Sequence, residues 1–297
     1  MKISSRILII LFIVNSGYHL YAQEQNFDAV VIKPYKLTEK IYMLEGMGGN
    51  IGVCAGSDGV LIIDDQFAPL TKKIKASIAE ISDKPVSFII NTHFHFDHAG
   101  GNENFGREGG TIVAHANVRK RLEADQSMPE INAEQKATNK DGLPKITFGE
   151  IITMHYNEEK INLYHRGPAH TDGDVIIQFV NSNVIHGGDV FVRYGLPFID
   201  VSSGGSVDGM ISFLEFLSSL ADEKTRIIPG HGMVATKKDV QEFTEMLRTI
   251  RDRVKALAEK GKTLEQIMAE NPIKGYEDNG VGAEAFIKSV YAGVGGK

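Results

Sequence analysis

The stretch "NTHFHFDHAGGN" (91–102) places His93, His95, Asp97 and His98 within six positions, straight after the apolar run "VSFII". Neutral imidazoles and ionised carboxylates are ligands for divalent metal ions, and that chemistry explains their density here. Imidazoles crowded this closely gain little from packing and repel one another when protonated, so a cation among them is the simplest account. Three later residues share the setting: His170 in "GPAHTDGD", Asp189 in "HGGDVF" and His231 in "PGHG". Each stands at the end of an apolar run beside Gly, Pro or Asp. Strand ends hold loops rigidly, and glycine lets backbone come close, so ligands are well placed there.

Together these are five imidazoles and two carboxylates. One tetrahedral zinc takes three or four ligands, so seven fit two ions that share a bridge. Paired divalent ions about 3.5–4 Å apart are a recurring hydrolytic device. On their own, His170 and His231 would read as structural residues; the cluster makes them ligand candidates. His115, His155, His165 and His186 lack this grammar and read as structural or as supports behind the ligands, with His165 and His186 the best placed of them to line the site. The single cysteine, Cys54, lies in the apolar "NIGVCAGSDGVLII" and reads as a buried, inert thiol. There is no Gly-x-Ser-x-Gly elbow to supply a serine nucleophile.

The elements that must position these residues can be read from periodicity. "IYMLEG", "NIGVCAG" and "GVLIIDD" read as short strands, with "GSDG" (56–59) as a tight turn. "APLTKKIKASIAEISD" (68–83) repeats Leu70, Ile74, Ile78 and Ile81 at helical spacing. "PVSFIINT" (85–92) is a continuous apolar run of the kind buried on both faces, and the histidine cluster begins where it ends. "GGTIVAH" reads as a strand and "ANVRKRLEAD" as a helix. Strands recur in "KITFGE", "IITMHYN", "EKINLYHRG", "DVIIQFV" and "NVIHGGDVF". "SVDGMISFLEFLSSLAD" (206–222) reads as a helix, and "RIIPGHG" (226–232) as a strand running into a loop. From Lys237 the chain is mostly helical, with Thr263 as an N-cap. Strands followed by helices, twice, predict an α/β fold with sheets covered on the outside. Residues 125–145 and 193–205 read as loops, candidates to cover the site.

At 297 residues the chain is long enough for a sizeable core. Its formal charge of −6 and lack of a basic run argue against a nucleic-acid partner. Residues 1–22 differ in kind: Lys2 and Arg6 precede the apolar "ILIILFIV", and "LYA" ends in a small residue. This predicts a signal peptide cleaved after Ala22 and a periplasmic or secreted protein. The apolar run is far short of the roughly 20 residues a membrane span needs, and no cysteine marks a lipoprotein, so no stable membrane anchor is expected. One domain is expected over 23–297, with the helical tail from about 237.

In order, "HFHFDH", "GPAHTDGD", "GGDVF" and "PGHG" resemble the metallo-β-lactamase superfamily over about residues 28–235. The resemblance implies an αββα sandwich, two mixed sheets face to face with helices outside and the site at one edge. It implies that His93, His95 and His170 hold one metal and that Asp97, His98 and His231 hold a second. Asp189 would bridge them, and Asp64, at the end of "GVLIID", would orient the metal loop without binding metal. The best-known zinc β-lactamases carry cysteine where this chain has Asp189. Aspartate there is similar to glyoxalase II and lactonases, while the signal segment and "RGPAHTDGDVIIQF" are similar to exported β-lactamases.

Two dications, zinc or the compatible iron or manganese, would acidify a shared water for attack on a carbonyl carbon. Asp97 would orient or deprotonate that water. The expected substrate is a small molecule with a strained or activated acyl bond: a β-lactam or lactone, with a thioester as the alternative. An iron-dependent sulfur dioxygenase uses a similar ligand set and is separated by metal analysis. A nuclease is disfavoured by charge and export, and a non-catalytic metal module by the intact ligand set.

Overall fold

The computed structural model describes residues 26–131 and 133–295; the expected signal segment 1–22 lies outside the described residues. Seven strands form the first sheet: β1 (Lys33–Lys36), β2 (Ile41–Glu45), β3 (Ile51–Gly56), β4 (Gly59–Ile63), β5 (Val86–Ile90), β6 (Thr111–His115) and, beyond the hairpin of β7 (Gln126–Met128) and β8 (Ala133–Gln135), β9 (Ile146–Phe148). Their spatial order is β1-β2-β3-β4-β5-β6-β9. The second sheet runs β10 (Ile151–Tyr156), β11 (Glu159–Tyr164), β12 (Ile176–Phe179), β13 (Val184–His186) and β14 (Arg226–Ile228).

The two sheets pack face to face. Ile41, Met43, Leu61 and Ile63 of the first meet Ile161, Leu163, Ile177 and Phe179 of the second in one buried cluster. Alternate residues of the same strands point outward and need their own cover. On the first sheet Val53, Val60, Ile62 and Ile89 pack under Leu70, Ile74 and Ile78, the last two on α1 (Thr71–Ala79). Each fully buried aliphatic side chain contributes about 1.5–3 kcal/mol relative to exposure. The predicted helical spacing of these residues is what lets them share a face.

The first sheet also carries the short helices α2 (Phe96–Ala99) and α3 (Asn102–Arg107), then α4 (Ala116–Leu122). The second sheet is covered by α5 (Val207–Leu220), α6 (Lys237–Ala258), α7 (Leu264–Ala269) and α8 (Ala283–Gly293). Capping boxes start α6 (Thr236 with Asp239) and α7 (Thr263 with Gln266), satisfying amides that have no partner within the helix. The architecture is an αββα sandwich with a helical C-terminal region. No helix among the described residues is long and apolar enough to cross a membrane.

One departure concerns the expected loops. Residues 125–145 contain the β7–β8 hairpin, which sequence periodicity hid because each strand has only three residues. Residues 193–205 form the irregular segment expected, with Leu196–Asp200 buried and Phe198 and Asp200 against the site histidines.

Topology creates the site. β4, β5 and β6 are parallel neighbours, as are β13 and β14. The segments leaving β4, β5, β13 and β14 at their carboxyl ends meet at one edge of the sandwich, where loops are free to converge.

Candidate metal centre

His93 and His95 lie just after β5, with Asp97 and His98 on α2. Asp189 sits in a 3-10 turn (Gly188–Val190) after β13, His231 follows β14, and His170 comes from the β11–β12 loop. All seven converge. His93, His95 and His170 form one group that could hold a metal ion; His93, His98 and Asp189 form another; Asp97, His98 and His231 form a third. His170 Nε2 is 2.9 Å from His95 Nδ1, and His98 Nε2 is 3.3 Å from His231 Nε2. Asp189 stands between: Oδ1 is 3.2 Å from His98 Nε2, and Oδ2 is 3.7 Å from His170 Nε2 and 3.5 Å from His231 Nε2. Asp97 Oδ2 is 3.3 Å from His231 Nε2.

Outer partners fix which ring nitrogen faces inward. Asp64, in the left-handed conformation that Asp tolerates (φ 63°), accepts from Thr92 N and Thr92 Oγ1, both at 2.7 Å, and lies 2.8 Å from His98 Nδ1. His98 therefore offers Nε2. His170 donates Nδ1–H to the Phe198 carbonyl at 2.8 Å and also offers Nε2. His95 is the exception: its Nε2 is 3.1 Å from Asp200 Oδ2, which leaves Nδ1 for the centre. Asn50 joins the sheets behind the site, its amide nitrogen reaching the Pro229 and Gly232 carbonyls at 2.9 and 2.7 Å.

The residues fit a cation pair. His93 Nε2 is buried without a hydrogen-bond partner, and Asp189 Oδ1 faces the His98 imidazole at 3.2 Å without an aligned hydrogen bond. Charge points the same way. Burial, then crowding by His98, His170 and His95, holds the His93 imidazole well below its usual range. Burial and then His95 bring His170 down to about 4. Burial would raise the Asp97 and Asp189 carboxyls, but positive charge on His98 and His231 outweighs it and holds both low. Conversely, burial would lower His98 and His231, yet the facing carboxylates raise His98 well above normal and His231 to about 9. These carboxylates draw protons onto two imidazoles where dications would otherwise supply the charge.

His165 and His186 stand behind the centre, with their ring nitrogens turned to backbone. His186 uses both ring nitrogens on backbone, Nε2 on the Asn50 carbonyl (3.0 Å) and Nδ1 on the Gly188 amide (3.2 Å). It supports the turn carrying Asp189 from behind. His165 stacks on His115 at 3.8 Å and binds the Asp174 carbonyl at 2.8 Å. Thr92, Phe198 and Asp200 were not singled out in the sequence. Asp200 in "FIDVSSGG" carries no ligand grammar, and only tertiary contact reveals it.

The family model described as metallo-beta-lactamase superfamily matches residues 44–231, more than half of the chain and a span containing all seven converging residues. The chain belongs to the metallo-β-lactamase superfamily. It is a metal-dependent hydrolase of that superfamily. A hydroxyacylglutathione hydrolase of Pelagibacter ubique is 27% identical over 160 residues, 53% of this chain and 57% of that relative. The metallo-β-lactamase IND-1 of Chryseobacterium indologenes is 25% identical over 227 residues, 74% of this chain and 89% of the relative. Among solved structures, a metallo-β-lactamase from Pontibacter korlensis superimposes with a TM-score of 0.61 at 17% identity, covering 73% of this chain and 99% of that one. This last likeness concerns the superfamily fold alone.

Proposed function

We propose that the chain is an exported, zinc-dependent hydrolase that opens a strained or activated acyl bond, a β-lactam or a lactone, in a small-molecule substrate. A signal segment (1–22) would precede a single hydrolase domain (23–297) whose last part is the helical tail. The observation that carries the reading is the convergence of seven ligand side chains around the buried, unpartnered His93 Nε2.

His93, His95 and His170 would hold the first ion, Asp97, His98 and His231 the second, and Asp189 both. When bound, two dications supply an acidified water as nucleophile and positive charge for the oxygen that develops on the substrate carbonyl. The chain's own residues do the rest. Asp97 and His231 are the most exposed of the set, at 21% and 23% of their side chains, so substrate arrives on their side. Asp97 would orient the attacking water or accept its proton. Asp64 holds His98 through Nδ1, and Asp200 holds His95 through Nε2, so neither ring turns away during the reaction.

A thioesterase is the second reading. It is favoured by the aspartate at position 189 and by the resemblance to a protein named hydroxyacylglutathione hydrolase. The oxygen-rich donors at Asp97 and Asp189 are also compatible with iron or manganese. Metal analysis of the purified protein, then rates on a panel of β-lactams, lactones and thioesters with and without chelator, tests the proposal. N-terminal sequencing of protein recovered outside the cytoplasm tests export. Protein that carries no metal, or hydrolyses the panel equally well after chelation, would sink the reading.

A further inference from the structure

One short segment, Tyr194–Asp200, touches three of the site histidines. The Tyr194 ring lies 5.6 Å from that of His231, the Phe198 carbonyl takes the Nδ1 proton of His170, and Asp200 holds His95. Asp200 N also donates to the His170 carbonyl at 2.9 Å.

The segment is held from its other side by the C-terminal region, beyond the stretch that the family model matches. Leu196 N donates to the Asn279 carbonyl at 3.1 Å, and Val281 N donates to the Leu196 carbonyl at 3.2 Å. Two facing glycines permit this approach, Gly195 (φ 115°) and Gly280 (φ 77°). A Cβ on Gly280 would fall 2.3 Å from the Leu196 carbonyl oxygen and 2.8 Å from the Tyr194 ring; one on Gly195 would fall 2.7 Å from Asn279 Cβ. Behind the strap, Phe286 and Val290 of α8 share a buried cluster with Leu196 and Ile199.

We infer that the strap Asn279–Val281, backed by α8, is a positioning element of the metal centre that sets the ligand nitrogens of His95 and His170. A carbonyl oxygen only accepts, so the proton shared with Phe198 must sit on His170 Nδ1, leaving Nε2 free for metal. The Asp200 carboxylate likewise selects His95 Nδ1. Both selections depend on where Tyr194–Asp200 lies, and the strap fixes that place. Loss of such outer partners costs about 10–100-fold in metal affinity. The inference rests on the proposed metal centre.

The test compares Co2+ titrations of chelator-stripped wild type, Gly280→Ala and Gly261→Ala. Gly261 has nearly the same backbone angle (φ 75°) with nothing within 4 Å of an added Cβ, so it matches the backbone strain without touching the segment. Gly280→Ala should bind one of two ions at least about 10-fold more weakly, while Gly261→Ala binds both as wild type does. Equal affinities in the two variants overturn the inference; a wild type that binds no Co2+ overturns the metal-centre reading instead. Should Gly280→Ala fail to fold, hydrogen exchange of wild type decides. Coupling is reciprocal, so metal loading should slow exchange of the Leu196 and Val281 amides by about the same factor of 10 or more. Unchanged exchange there on loading would overturn the strap's role.

Discussion

Asp200 lies 105 residues from His95, yet its Oδ2 is 3.1 Å from His95 Nε2. The carboxylate is completely buried and also accepts from Ser202 Oγ at 2.6 Å and Ser203 N at 2.9 Å. Burial would raise it, but these bonds, led by that from His95, outweigh burial and keep it ionised. A buried anion fixed on the outer nitrogen of one imidazole determines how that ring can meet a metal.

Asp200→Ala should therefore weaken metal binding at the group containing His95 by about 10–100-fold. It also removes the side-chain acceptor shared by Ser202 Oγ and Ser203 N, although Ser203 N keeps the Asp200 carbonyl at 3.1 Å, at a cost of about 0.5–1.5 kcal/mol in stability. Calorimetric metal titration of the folded protein separates the two effects. Wild-type affinity in a merely less stable variant would show that Asp200 only caps its turn.

Asp189→Ala removes the carboxylate that faces His98, His170 and His231. The expected outcome is loss of one ion, retention of the fold and a fall in turnover of at least about 100-fold, as for loss of a major electrostatic element. Metal stoichiometry and rate, both on the folded fraction, check this. If each folded molecule still holds two ions, Asp189 is not a ligand.

Gly49→Ala tests how closely backbone must approach the centre. A Cβ there would fall 2.1 Å from the His98 ring, while Gly49 is pinned by its amide on the Asp97 carbonyl (3.0 Å) and its carbonyl on Gln66 Nε2 (2.7 Å). His98 must move, and overpacking of this kind costs about 1–3 kcal/mol. Thermal unfolding should shift down, and the ion near His98 should bind more weakly than in wild type. Two ions held at wild-type affinity would place His98 outside the ligand set.

Metal uptake should release protons. In metal-free protein the facing carboxylates raise His231 to about 9 and His98 well above its normal range, so this pair of rings holds added positive charge at pH 7. Metal ligation needs both rings neutral, so loading at pH 7 should expel at least about one proton per chain. Affinity should then fall as pH falls below about 9, because protons compete for those nitrogens. His170, lowered to about 4, stays neutral down to that pH and adds no competition above it. Titration calorimetry in buffers of different ionisation enthalpy counts the protons, and a count of zero would contradict the charge arrangement described above.

Much of the architecture was legible in the chain because its signals are local. Alternation and apolar runs marked β2 to β6, helical spacing marked α1 and α5, and Thr263 marked the start of α7. The histidine cluster stood out because four ligand residues fall within six positions. His170, Asp189 and His231 were recognisable by their setting at strand ends beside glycine. The β7–β8 hairpin was not legible, since three-residue strands carry too little period to register.

The sequence by itself determined which residue types were available for metal and hydrolytic chemistry and where along the chain they sit. Tertiary structure alone decided which nitrogen each imidazole presents, through Asp64, Phe198 and Asp200, and which segment steadies those partners. It also gave His186 its partners, with both ring nitrogens on backbone, while the His231 Nε2 faces Asp97 and Asp189. The physical reason is range. Periodicity, caps and clustered ligands act between near neighbours and leave a local trace. A hydrogen bond from His95 to Asp200, or from Val281 to Leu196, exists only once two sheets and a helical tail have packed, and nothing in either local stretch announces the other.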